Sequence, residues 1–308
     1  MLRERKLRAL RRVLGDEQIT KGDEVVFFCH RHSHPKPKLS VNLRTDRFHC
    51  WICDFSGKNL VPILRLERGS QEFREYLEEI EGPREKQIEP VRKYDSPVLP
   101  LEFRTLTRSW KSPYYSSAMS YLKGRGVSEN DILRMKLGYC EEGAYQYRII
   151  VPSFDEFGEL NFFVGRAFFS RAGLSYKHGN FDKDVIFNDY MVDWSRPVTI
   201  TEGPFDALKA GENAISLLGS ILRRNSKLFK KIVLSGVEAY FAMDTDAFEK
   251  QLSIISSLNA YGVVCRYVNL DGRKDVGEMT KEEFNEKMSR AIKVEDDLDV
   301  MKLRVMSA

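Results

Sequence analysis

Apolar positions recur along this chain with two periods, and each change of period marks a change of structure. Leu2, Leu7, Leu10 and Leu14 fall at helical spacing with arginines between them, which predicts a short amphipathic, solvated helix. Lys38 to Leu43 and Arg47 to Cys50 alternate apolar and polar residues, as half-buried strands do. Helical spacing returns from Leu60 to about Ile80, interrupted near Gly69 and Ser70. Pro83, Pro90, Pro97, Pro100 and Pro113 then break any long element and predict a linker, with Trp110, Tyr114 and Tyr115 docking on the next domain.

Short helices are expected over Ser117 to Leu122 and, capped by Ser128, up to Met135. Arg148 to Phe154 and Leu160 to Arg166 flank the turn DEFGE and predict a hairpin. From Pro197 the chain alternates regularly: VTITEG, PFDALKAG, AISLLG, NSKLFKKIVL, EAYFAMD, AFEKQLSIISSLNAYG and VVCRYVNL. That order predicts a mainly parallel sheet with helices on its faces. Thr280 and Glu283 form a capping box for a last helix, after which a charged tail is expected to fray. The expected divisions are 1–80, a linker over 81–113, 114–196 and 197–308.

Hydrophobic residues make 42% and charged residues 31% of the 308, so a globular, soluble chain is expected. A net charge of +4 permits a nucleic-acid partner without demanding one. There is no run of about 18 apolar residues and no secretory signal at the start, so no membrane partner is expected. Five cysteines without such a signal argue against a disulfide framework. Cys140 and Cys265 read as reduced, buried thiols.

The other three cysteines carry chemistry. In FFCHRHSHPKPKLSVNLRTDRFHCWICDFSG, Cys29 and His32 are separated by two residues, as are Cys50 and Cys53. Two such turns joined by a hairpin complete a tetrahedral site for one structural zinc ion, with no open position. His30, His34 and His49 remain alternatives to His32. Arg31, Lys36, Lys38, Arg44 and Arg47, with Phe48 and Trp51, offer cations and rings suited to single-stranded DNA.

Carboxylates carry the second signal. Glu202 ends one apolar strand and Asp206 lies in the first turn of the next helix, while Asp244 and Asp246 end another strand. Asp271, Asp275 and Glu278 come after the next strand. The C-terminal edge of parallel strands is the usual ligand edge of such sheets. A cluster of hard oxygen donors there selects Mg²⁺ or Mn²⁺, two or more, in phosphoryl-transfer chemistry.

Together these segments resemble the DnaG-type DNA primases and the single-subunit primases of phages. TEGPFDAL resembles the glutamate motif of the TOPRIM domain and MDTD its DxD motif. The Cys/His segment resembles the primase zinc ribbon. YLKGRGVSENDILRMKLGY and YRIIVPSFDEFGELNFFVGRAF resemble the entry and the basic subdomain of the polymerase core. The resemblance spans residues 25 to 290 and implies an α+β multidomain fold of zinc ribbon, basic α/β subdomain and TOPRIM α/β domain. It implies catalytic roles for Glu202, Asp244 and Asp246, divalent-metal positions at these with Asp206 and Asp275, and template and nucleotide contacts for Arg148, Arg166 and Lys177. One departure stands out: Gly277 occupies a position where the family often has a second aspartate.

The implied activity is synthesis of short RNA primers from ribonucleoside triphosphates on single-stranded DNA, in the cytoplasm, or the host cytoplasm for a phage chain. A separate replicative helicase is the implied partner. The carboxylates alone would equally serve a TOPRIM nuclease or topoisomerase-like enzyme. The ribbon alone would serve an inactive DNA-binding helicase adaptor.

Overall fold

The computed structural model describes residues 2–67, 73, 76 and 94–306, and three five-stranded sheets organise them. Residues 81–93 of the expected linker, and most of the helix expected up to Ile80, lie outside the described residues.

The first sheet is an antiparallel meander of β1 (Ile19–Lys21), β2 (Glu24–Phe27), β3 (Leu39–Asn42), β4 (Phe48–Cys50) and β5 (Ser56–Gly57). Val25, Phe27, Leu39, Val41 and Phe48 point to one buried face, as the period-two pattern requires. Helix α1 (Leu2–Leu14) buries Leu7 and Leu10, so it packs into the core instead of lying solvated as expected. Lys6 secures it through an ion pair of 2.8 Å to Asp46. After β5 comes α2 (Val61–Leu64), whose Val61, Ile63 and Leu64 are buried. It seats the ribbon on the third sheet: Asn59 donates to the carbonyl of Ala260, and the Arg65 guanidinium donates to those of Tyr261 and Gly262. One apolar core runs from the ribbon into that sheet.

The second sheet is antiparallel: β6 (Arg104–Thr105), β7 (Gly138–Cys140), β8 (Arg148–Phe154), β9 (Leu160–Ala167) and β10 (Tyr176–Lys177). The expected hairpin is β8–β9, its turn held by Asp155 Oδ1 accepting from the N–H groups of Phe157 and Glu159. Helix α3 (Pro113–Gly124) is capped by Ser112, and α4 (Glu129–Arg134) by a Ser128–Asp131 capping box. Trp110, Tyr114 and Tyr115 pack on the core of this sheet, as expected.

The third sheet has the order β12 (Ala214–Ser216), β11 (Val198–Thr201), β13 (Ala239–Phe241), β14 (Cys265–Tyr267), β15 (Ile292–Val294). All neighbours are parallel except β14 and β15. Helices α5 (Pro204–Ala210), α6 (Lys227–Ser235), α7 (Phe248–Asn259) and α8 (Lys281–Ser289) connect or follow the strands. The capping box at Thr280 and Glu283 forms as expected. The tail does not fray: Val294 pairs with Cys265, and α9 (Asp297–Met306) buries Val300 and Leu303. Charge hid these few inward apolar residues from a reading by period.

Candidate functional site

Two clusters of donor side chains form among the described residues. The first lies on the ribbon. The donor atoms of Cys29, His32, Cys50 and Cys53 all lie within 4.8 Å of one another. Cys29 Sγ and Cys53 Sγ stand 3.8 Å apart, and His32 Nε2 and Cys50 Sγ 3.1 Å apart. An edge of about 3.8 Å is what two sulfurs make when each lies about 2.3 Å from a tetrahedral zinc. Burial raises the Cys50 thiol, but His32 and the N–H groups of Cys53 and Ile52 outweigh it and bring the thiol down to about 6. The set is soft, closed and four-membered, and it fits a structural zinc ion. The alternative histidines are engaged elsewhere: His30 against Phe55, His34 with the backbone of Lys36, and His49 against Trp51.

The second cluster lies at the C-terminal edge of the third sheet. Glu202 follows β11 directly, while β13 ends at Phe241, before Asp244 is reached. The pairing of Asp244 with Asp246 therefore comes from a 3₁₀ turn over Thr245–Ala247 and not from a continuing pleat. Carboxylate oxygens of Glu202, Asp244 and Asp246 lie within 4.8 Å of one another. Burial, then Asp244 and Asp246, pushes the Glu202 carboxyl up to about 7. Burial, then Asp275 and Asp246, pushes Asp244 up to about 6. Glu202 Oε1 is buried without a hydrogen-bond partner among the described residues. Three hard donors that repel one another, one of them unpartnered, fit a divalent cation such as Mg²⁺ or Mn²⁺.

Asp206 and Asp275 stand beside this set and not in it. Burial, then Asp275 and Asp244, pushes Asp206 up to about 7, against the N–H groups of Gly277 and Gly203. Glu278 also lines the cleft beside them, but its carboxylate accepts from the Lys274 N–H at 2.9 Å.

A cleft of about 1190 Å³ opens over these carboxylates, and the basic subdomain forms its other wall. Arg166 lines it, donating to the Tyr121 hydroxyl at 2.8 Å and lying 4.5 Å over the Tyr176 ring. Arg148 does not reach it. It is 3% exposed, and its guanidinium donates to the carbonyls of Ala172 (2.7 Å) and Gly165 (3.4 Å). Neighbouring strands explain this: Ile149, not Arg148, pairs with Arg166, so Arg148 points to the opposite face. Lys177 also points away and donates to the Ala144 carbonyl at 2.6 Å. Its neighbours Tyr176 and His178 line the cleft instead.

Arg125 and Lys183 line the cleft too and were missed. The signal for Arg125 was the GRG turn after α3, which brings its guanidinium over Tyr121 and Phe205. Tyr176 was one residue from the lysine chosen.

The fold and its two clusters define a class: a zinc-ribbon protein whose mainly parallel sheet carries an acidic centre at the foot of a partly basic cleft. Known proteins of similar sequence and fold are DNA primases. The chain is 23% identical to the DNA primase of Thermotoga maritima over 318 aligned positions, covering 86% of this chain and 55% of that protein. It is 22% identical to the DNA primase of Listeria innocua serovar 6a, over 69% of this chain and 44% of that protein. The chain thus spans about half the length of the curated relatives it matches. No known family profile matches it. The zinc-binding and RNA polymerase domains of the Aquifex aeolicus primase share its fold with a TM-score of 0.51, at 17% identity, covering 90% of this chain and 81% of that one. The similarity to DNA primases expected from the motifs is present, and so is the expected fold class. No helix among the described residues is long and apolar enough to cross a membrane.

Proposed function

We propose that this chain is a DNA primase, a nucleotidyltransferase that joins ribonucleoside triphosphates into short RNA primers on single-stranded DNA for lagging-strand synthesis. The observation carrying this reading is one cleft with Glu202, Asp206 and Asp244 on one side and Arg125, Arg166 and Tyr176 on the other, with Asp246 clustered beside Glu202 and Asp244. The zinc ribbon on the same chain favours it over a nuclease or topoisomerase-like enzyme, and the mutually repelling carboxylates favour it over an inactive adaptor.

Glu202, Asp244 and Asp246 would hold Mg²⁺ or Mn²⁺, which when bound supplies Lewis-acid charge beside the phosphate under attack. The rest falls to side chains. Arg166, fixed by Tyr121 and Tyr176, keeps N–H groups toward the cleft for phosphate oxygens. Arg125 does the same from the turn above Asp206. Asp206 and Asp275 shape the floor next to the cation ligands, and they are the further metal positions proposed. Trp51, 70% exposed beside His49, offers a stacking surface for unpaired bases, through which the ribbon reads an initiation sequence. A separate replicative helicase is the proposed partner and the cytoplasm, or a host's cytoplasm, the proposed compartment. The proposed units are 1–80, 81–113, 114–196 and 197–308.

The test is incorporation of labelled ribonucleotides on single-stranded DNA. Wild type should make short oligoribonucleotides, and Glu202→Ala and Asp244→Ala none, with zinc content and melting temperature as folding controls. Equal product from folded variants would refute the assignment.

A further inference from the structure

The ribbon and the carboxylates sit at opposite ends of the third sheet. Arg65 and Asn59 seat the ribbon on the turn before β14, whereas Glu202 and Asp244 follow the other ends of β11 and β13. A groove of about 1620 Å³ runs between ribbon and sheet, lined by Arg47, His49 and Trp51 on one side and Ser256 and Asn259 of α7 on the other. Any strand touching both ends must cross the intervening surface.

That surface is unusual in charge. Between Glu212 and Glu238 there are no acidic residues and five basic ones, in a chain with 49 basic and 45 acidic residues in all, so the imbalance is local. Lys231 is taken up by Glu156. Arg223, Arg224 and Lys227, with Lys250 of α7, are exposed and form no ion pair among the described residues. Glu249, the only carboxylate of α7, is held by the Arg304 guanidinium at 2.8 Å.

The cations are placed in order along the surface. Gly219 donates its N–H to the Glu202 carbonyl at 3.3 Å, tying the loop before α6 to the acidic centre. The next residue, Ser220, accepts from Lys250 Nζ at 2.9 Å. Arg224 Nε reaches Ser257 Oγ at 3.4 Å, seven residues further along α7 and about 10 Å by helical rise. Ser257 adjoins Ser256, which already belongs to the ribbon groove. Ser226 caps α6 and fixes the loop through the Arg223 carbonyl at 2.7 Å.

We infer that the loop before α6 and the exposed face of α6 and α7 form a phosphate track, which carries single-stranded DNA from the ribbon groove to the carboxylate cleft of the same chain. Ordered cations that form no ion pair among the described residues match a phosphodiester backbone, where each contact releases counterions. The inference rests on the proposed polynucleotide-handling function.

The test is fluorescence anisotropy with labelled single-stranded DNA in buffer without added magnesium or manganese and without chelator, which leaves the zinc of the ribbon in place. For an oligonucleotide of about 25 residues, Arg223→Ala/Arg224→Ala should bind roughly tenfold more weakly than wild type, with the slope of log affinity on log salt smaller by about 1.4, or about 0.7 for each lost single-strand contact. Arg223→Lys/Arg224→Lys should restore the slope. For an oligonucleotide of about five residues, too short to span the surface, the alanine variant should bind as wild type does. Melting temperature and zinc content establish that each variant is folded. If wild type binds the long strand and the folded alanine variant binds it equally with an unchanged slope, the track is refuted and the primase reading stands. If wild type itself retains no single-stranded DNA, the function proposed above fails first.

Discussion

The backbone N–H of Gly277 donates to Asp206 Oδ1 at 3.1 Å, so a glycine closes the floor of the cleft. A Cβ at position 277 would stand 3.1 Å from Asp206 Oδ1 and 3.1 Å from Asp275 Oδ1. Two carboxylates are thus packed around a residue without a side chain.

Gly277→Asp should crowd three carboxylates and lower stability in EDTA by about 1–2 kcal/mol. Manganese should raise the melting temperature of this variant more than that of wild type. Thermal denaturation with and without the ion decides it; an unchanged melting temperature in EDTA would contradict the crowding.

Stability without divalent ions should fall as pH rises. The folded state holds the Glu202 and Asp206 protons up to about 7 and that of Asp244 up to about 6. An unfolded chain releases them near about 4. The folded state therefore binds more protons between about 4 and 7, and these groups cost stability progressively across that window. Asp206→Asn, which can still accept from Gly277, should flatten the decline and stabilise the EDTA-treated protein at pH 7.5 by about 1 kcal/mol. Melting curves of both proteins between pH 5 and 8 make the comparison, and parallel curves would count against it. Protons also compete with the cation, so manganese affinity measured by calorimetry should weaken below about pH 7.

Arg148 and Arg166 should separate cleanly. Arg148→Ala removes a buried guanidinium and strands the Ala172 carbonyl, at a cost of about 2–3 kcal/mol in denaturant titrations. Arg166→Ala should cost less stability and more single-stranded DNA affinity. The opposite ranking would return Arg148 to the groove.

Zinc content offers a fourth check. Wild type should hold one zinc per chain, and Cys50→Ala none, because a three-donor remnant leaves a closed structural site open. Manganese binding at the distant carboxylates should survive the change. Full zinc occupancy in the variant would redirect attention to His30, His34 or His49.

The ease of reading this sequence varied with how local each signal was. The zinc donors were legible because each pair sits on one short turn, and the geometry of four ligands leaves little freedom. The carboxylates at the strand ends were legible because alternating strands and helices dictate a parallel sheet and hence its ligand edge. Arg148 was misplaced because the register of β8 against β9, which no local pattern reveals, decides which face it occupies. The same cause hid Tyr176, whose pairing with Arg166 across β9 and β10 turns Lys177 outward. The docking of α1 and α9 was illegible because few apolar residues on each helix point inward: α1 interleaves its leucines with arginines, and α9 leaves Leu298, Met301, Val305 and Met306 exposed.

Helix α5 bears on how this protein could be re-engineered. Phe205 and Leu208, on either side of Asp206, are built into the core of the antiparallel sheet, while the helix itself belongs to the parallel one. A chimera that replaced residues 94–196 with a foreign module would have to supply matching sockets for those two side chains. Without them, the helix that presents Asp206 would lose its cover, and the graft would disturb the acidic wall of the cleft as well as the basic wall it replaces.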